Sequence, residues 1–371
     1  MRTTLVVSLC VVASAACLTP FSVAQPVSAP KHGYEVTIPV TVRDKHGAMV
    51  TTLQKSDLTL TEDGRAQTIE SLTRDSNLPF RVGLLFDTSR SVTGAIPSER
   101  KAVGEFLQQM MPTDPDKNQA FLIHFDREVE LLQDFTDSRA KIQQELADMG
   151  STHPGRAGSQ GPETVDDPRP AQHGHNGTQL YDAIYLASDE LMKGKDGRKA
   201  LIVFSNGADR GSKETMNEAV DAADRANVAV YTIFFKGEAE SQPNGMPTNN
   251  RRTGIGFPGG GGYPGGGYPG TYPGGGSGRR TPEPTTATGM DGKKIMQEIA
   301  ARTGGHAYEA RKTADLGPIY KLIEEELRGQ YVLTYRPDKP DTEGDFHKIA
   351  VSTTNKEWKV STREGYYAPE K

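Results

Sequence analysis

The sequence predicts an α/β fold: a doubly wound, mostly parallel sheet, joined to a small β unit built from the N- and C-terminal strands. Three observations predict it. Four short runs are apolar without alternation, at 82–86, 120–123, 200–204 and 228–235, and strands apolar on both faces belong to a buried parallel sheet. Stretches of helical periodicity lie between them, at about 95–111, 137–148, 179–193 and 213–226, and strands that alternate with helices wind in this way. Near the start, Tyr34, Val36, Ile38, Val40 and Val42 alternate, as do Tyr331, Leu333 and Tyr335 near the end. Period two marks strands with one buried face.

Taken in chain order, residues 1–24 read as an export signal. Arg2 precedes an apolar run from Leu5 to Leu18, and Ser22-Val23-Ala24 offers the small residues of a cleavage site before Gln25. The run is short for a membrane span. Cys17 in Ser14-Ala15-Ala16-Cys17 suggests a lipidation box, but the usual leucine three residues earlier is missing. Export to a periplasmic or extracellular location is therefore the expectation. Both cysteines, Cys10 and Cys17, fall inside the signal, so the mature chain has no thiol ligand, nucleophile or disulfide. No later segment is apolar enough to form a stable span.

Residues 31–78 form the N-terminal β unit, with turns at Lys45-His46-Gly47 and Asp63-Gly64. The α/β domain follows over 79–330. In the helix expected at 179–193, Leu180, Ile184, Leu186, Ala187 and Leu191 make an apolar stripe. Two insertions, 150–177 and 237–288, are rich in Gly and Pro; the second repeats Tyr-Pro-Gly units around Tyr263, Tyr268 and Tyr272. Such segments bury too little surface to offset the entropy of ordering, and are expected to be flexible. Helices resume at 293–303 and 316–327. Strands at 331–335, 347–351 and 358–362 are expected to pair with the strand at 34–42, so that 331–371 completes the β unit.

The chemistry concentrates where the buried strands end. Asp87, Ser89 and Ser91 form an Asp-x-Ser-x-Ser turn after the first of them, Thr178 opens a helix, and Ser205-Asn206-Gly207-Ala208-Asp209 follows the strand at 200–204. Ligands of open α/β sheets bind at the carboxyl ends of the strands, and hydroxyl and carboxylate oxygens suit a hard divalent cation. Other sites are weaker. His173 and His175 near His153 read as a solvated loop, and Asp134 as a polar residue leading a helix. Gly275-Gly276-Ser277-Gly278-Arg279 fails as a nucleophile elbow because Arg279 replaces the last glycine. There is no phosphate-binding loop. The net charge of −5 argues against nucleic acid as a partner.

Together the three segments resemble the metal-ion-dependent adhesion site of von Willebrand factor type A domains, and the flanking strands resemble a bacterial subgroup of exported proteins related to it. The resemblance implies that Asp87, Ser89, Ser91 and Thr178 hold Mg²⁺ (or Mn²⁺ or Ca²⁺), directly or through water. It also implies that the site captures an Asp or Glu carboxylate on a protein partner and catalyses nothing. One residue departs from the pattern: Asn206 stands where the family has Asp. Asparagine keeps an oxygen acceptor but loses a charge, and a unit charge about 5 Å from a dication is worth about 7 kcal/mol at an effective dielectric of 20. Asp209, three residues on, is the candidate to replace that charge. The alternative is a scaffold that keeps the fold without the metal.

Cleavage at the expected site makes a direct prediction. Mass spectrometry of the exported protein finds a chain starting at Gln25, and a thiol titration of it under denaturing conditions finds no free cysteine.

Overall fold

The computed structural model describes residues 34–74, 78–113, 115–149, 178–236, 291–338 and 344–369. The expected signal segment, both insertions and the three histidines at 153, 173 and 175 lie outside the described residues.

In chain order the first four strands are β1 (Val36–Arg43), β2 (Leu58–Glu62), β3 (Arg65–Gln67) and β4 (Ser71–Thr73). The α/β region runs β5 (Phe80–Asp87), α1 (Ile96–Met110), β6 (Gln119–Phe125), β7 (Val129–Thr136) and α2 (Arg139–Asp148), and continues from residue 178. There α3 (Leu180–Leu186) continues into a π-helical stretch, Ala187–Met192. Next come β8 (Arg198–Ser205), α4 (Met216–Arg225) and β9 (Val228–Phe235), then α5 (Gly292–Thr303), β10 (Ala307–Ala310) and α6 (Leu316–Gly329). Four strands close the chain: β11 (Tyr331–Tyr335), β12 (Phe346–Thr353), β13 (Lys359–Ser361) and β14 (Gly365–Tyr367).

The central sheet has six strands in the order β10-β9-β8-β5-β6-β7. All neighbours are parallel except β6 and β7. Its central strands are buried on both faces, as their unbroken apolar runs require. Leu84, Leu122, Ile202 and Tyr231 face α1, α2 and α6, while Leu85, Phe121, Val203 and Val230 face α3, α4 and α5. Gly83 permits the tightest part of this packing: a Cβ there would lie 2.3 Å from Phe121 Cζ and 2.4 Å from Leu201 Cδ2. The doubly wound, mostly parallel sheet expected from the sequence is therefore the one observed.

The flanking strands make two sheets rather than one. β1 pairs with β11 and β13, as expected, in the order β13-β1-β11-β4. β12, however, pairs with β2 and β14 in a second sheet, β14-β12-β2-β3. The two enclose a core of Val36, Ile38, Val40, Leu60, Leu333, Tyr335 and Ile349. Two sheets follow because β1 and β2 each have a single buried face, and two such faces bury each other only when stacked. Asp134 is also relocated. It is exposed on β7, an edge strand paired antiparallel to β6 through a register shift, rather than leading a helix. Among the described residues no helix is long and apolar enough to cross a membrane.

One core charge lies away from the sheet end. Glu99 on α1 is fully buried; Tyr320 of α6 donates a hydrogen bond to its Oε1, and its Oε2 has no partner among the described residues. Burial pushes its carboxyl up to about 8, against the opposing hydrogen bond from Tyr320. The folded protein therefore keeps a proton that the unfolded chain releases at its ordinary value of 4.5. The stability linked to this proton is fully present below that value and is lost as pH rises toward 8. Urea melts across this range, compared with those of Glu99→Gln, should show the variant's stability falling less with pH. The difference is at most about 1.4 kcal/mol per pH unit, and identical slopes would exclude this assignment.

Candidate metal centre

The site is built from three loops at the carboxyl end of the central sheet. β5 ends in Asp87, which is completely buried. Its Oδ1 accepts the backbone N–H of Ser89 at 2.9 Å, and its Oδ2 accepts the hydroxyl of Ser205, at the end of β8, at 2.6 Å. Burial pushes the carboxyl above the ordinary aspartate range, and the hydrogen bonds from Ser205, Ser89 and the Asn206 backbone pull against it. These donors hold the carboxylate in place and bind the β5 and β8 loops together.

Above it, the hydroxyls of Ser89 and Ser91 lie 3.0 Å apart and share a hydrogen bond. Thr178 joins them from the start of the α3 segment, where the backbone N–H of Arg210 donates to its carbonyl at 3.1 Å. Ser89, Ser91, Thr178 and Asn206 all line one cavity of about 710 Å³. Ser89, Ser91 and Thr178 thus line one space, beside one buried carboxylate, and the two serine hydroxyls meet there. That donor set is entirely oxygen and fits a hard cation such as Mg²⁺.

Two of the predicted residues behave differently. The oxygen that Asn206 was expected to offer to the cavity is used within its own turn, where Oδ1 accepts the N–H of Ala208 at 2.8 Å. This is an Asx turn, continued by Gly207 at φ +72°, where a Cβ would lie 2.1 Å from the carbonyl oxygen of Gly292. The amide nitrogen faces the site instead and donates to Ser91 Oγ at 2.7 Å. Asp209 does not turn back to the cavity. Its Oδ2 accepts the N–H of Tyr181 at 3.0 Å and the hydroxyl of Ser212 at 2.5 Å. It caps α3, whose own N-cap residue, Gln179, makes no side-chain cap bond, and a negative charge at a helix N-terminus is favourable.

The structure also adds residues that the sequence did not single out. Ser205 anchors Asp87. Asp126, just after β6, lines the cavity; an acid directly after a buried strand is the same signal that marked Asp87. Asp182 fixes the outer turn by accepting the N–H groups of Lys213 and Glu214, each at 2.9 Å. Elsewhere, Glu62, Asp63 and His347 cluster between β2 and β12. There His347 Nδ1 lies 2.9 Å from Asp63 and Tyr335 donates to Glu62, which makes an internal knot of the flanking sheets.

The position of Asp209 is testable. Asp209→Ala should lower stability by about 1 kcal/mol, as loss of a helix cap does, measured by urea denaturation. It should weaken Mg²⁺ affinity less than Ser89→Ala does; the reverse order would make Asp209 a ligand.

Residues 82–208 match the family model for the von Willebrand factor type A domain. No curated protein sequence matches the chain. Among solved structures, an aerotolerance-related membrane protein from Bacteroides fragilis is similar over 67% of this chain and 98% of its own, at 14% identity and a TM-score of 0.40. BatB from Bacteroides thetaiotaomicron is similar over 67% and 98%, at 15% identity and a TM-score of 0.38. Proximal thread matrix protein 1 from the mussel byssus, solved with zinc in its metal-ion-dependent adhesion site, is similar over 67% of this chain and 48% of its own, at 11% identity and a TM-score of 0.38. This chain thus spans less than half of the mussel protein. The six-stranded sheet, the Asp-x-Ser-x-Ser turn at its carboxyl end and the family match agree over the same stretch: residues 82–208 carry a von Willebrand factor type A domain.

Proposed function

We propose that this protein is an exported binding module, and that its α/β domain, residues 79–330, captures a carboxylate of a protein partner through a divalent cation. The observation that carries this reading is the convergence of Ser89, Ser91 and Thr178 on one cavity above a buried, fully engaged Asp87. The three hydroxyls are the direct ligands in this reading, and Asp87 supplies the nearby negative charge. A bound Mg²⁺ supplies an electron-poor centre with an open position for an outside oxygen. Neutral ligands leave that centre short of charge, which favours an anionic sixth partner. Asn206 acts on Ser91, orienting its hydroxyl through the Nδ2 contact.

The second reading is a scaffold without metal. The same Asn206–Ser91 bond favours it, because that bond satisfies the serine without any ion.

Calorimetric titration of the full mature chain with Mg²⁺ and Mn²⁺ separates the two. The binding-module reading expects affinity roughly in the micromolar-to-millimolar range of open oxygen sites. Ser89→Ala and Asp87→Ala lose it, and Asn206→Asp tightens it by about tenfold or more, in the direction of the charge argument. No binding heat and a melting temperature indifferent to both ions would leave the scaffold reading standing.

A further inference from the structure

We propose that Arg90, Arg127 and Arg210, which ring the cavity, select a partner segment bearing several carboxylates, one for the cation and the others for the guanidinium groups. The inference rests on the metal-dependent reading above and names the chemistry of the partner.

The three arginines come from three loops. Arg90 lies between the two serine ligands, Arg127 follows Asp126 after β6, and Arg210 follows β8; all three line the cavity and are exposed. None of their guanidinium groups makes a hydrogen bond or ion pair with another described residue. Some arginines elsewhere are paired, Arg43 with Glu326, Arg328 with Glu324 and Arg336 with Glu70; what sets these three apart is that they meet at one cavity. The formal charge of the whole chain is −5, yet three cations without a partner among the described residues meet at this one cavity against Asp126 on its wall and Asp87 beneath it.

This surplus works against a lone dication, because three more positive charges share its surroundings. It works for a dication that arrives with an acidic partner. Planar guanidinium groups match carboxylates in a two-pronged geometry, and a cavity lined by one sign of charge raises the encounter rate with the opposite sign. The space suits a segment rather than a single side chain. The cavity holds about 710 Å³, and its wall of Asn206, Ala208 and Arg210 is shared with a neighbouring cavity of about 800 Å³.

The test uses the full mature chain and two fluorescent peptides, hexa-aspartate and a glycine peptide with one central aspartate, read by anisotropy with Mg²⁺ or with EDTA. With Mg²⁺, wild type should bind hexa-aspartate about tenfold or more tightly than the single-aspartate peptide, and added NaCl should erase the difference. Arg127→Ser/Arg210→Ser should lose that preference while still holding the single-aspartate peptide, and should bind Mg²⁺ alone at least as tightly as wild type, because two positive charges near the cation are gone. Both residues are exposed, so the double variant should melt with wild type. An unchanged preference in the double variant would overturn the proposal, as would inorganic triphosphate displacing hexa-aspartate better than unlabelled hexa-aspartate itself. If EDTA leaves the arginine-dependent preference intact, the metal-dependent reading fails and the arginine selection stands.

Discussion

Everything at the functional end of this molecule depends on one buried carboxylate. Asp87 ends a strand whose neighbours on both sides are packed, so its charge has no access to bulk water. A charge so placed is tolerated only when fixed donors replace the lost hydration. Those donors come from the Ser89 backbone and the Ser205 hydroxyl, and Ser205 in turn accepts the N–H of Gly207 at 3.0 Å. Satisfying Asp87 therefore shapes two loops at once. The β5 loop turns so that both serine hydroxyls reach the cavity, and the β8 loop turns so that Asn206 meets Ser91. The proposed site is thus pre-formed by folding energetics alone.

The flanking sheets are locked to this domain by a second set of buried charges. Arg43 of β1 donates to Glu326 of α6 at 3.0 Å, and His306 Nδ1 lies 2.6 Å from the other oxygen of that carboxylate. Burial alone would raise Glu326; the hydrogen bonds from His306 and Arg43 outweigh it and hold the carboxyl below the ordinary glutamate range. On another side, Arg363, just before β14, donates to Asn227 after α4 and to the Thr37 carbonyl of β1. Breaking one partner of such a pair leaves an uncompensated buried charge. The β sheets therefore ride as one piece with the edge of the α/β domain.

Much of this was legible in the sequence, for a physical reason. Strands buried on both faces leave unbroken apolar runs, and β5, β6, β8 and β9 were read from them to within two residues at each end. Asp87, Ser89, Ser91 and Thr178 were legible because each lies at the end of a strand or the start of a helix, where the topology itself sets the direction. The misses come from weaker signals. β7 is an exposed edge strand, with neither an apolar run nor clean alternation, so Asp134 looked like a helix leader. Asp209 was misdirected because the path of its loop is set by an Asx turn and a positive φ at Gly207, which charge spacing does not report. The π-helical stretch after α3 has the apolar pattern of an ordinary helix. The rim arginines escaped notice because convergence from three loops is not a sequence property.

Asn206 and the arginines act on charge in the same direction. In the proposed site, exchanging the family's aspartate for an amide removes a negative charge beside the cation, and Arg90, Arg127 and Arg210 add positive charge around it. Both changes weaken a cation held alone, and both strengthen a cation held together with an anionic partner. Linkage makes this reciprocal: whatever factor the partner contributes to cation affinity, the cation contributes to partner affinity. A family member with the aspartate in place carries more of its own neutralising charge and has less to gain from the partner. The substitution that looks like a lesion in the metal site is, on this account, what shifts the last part of charge neutralisation from the protein to its ligand.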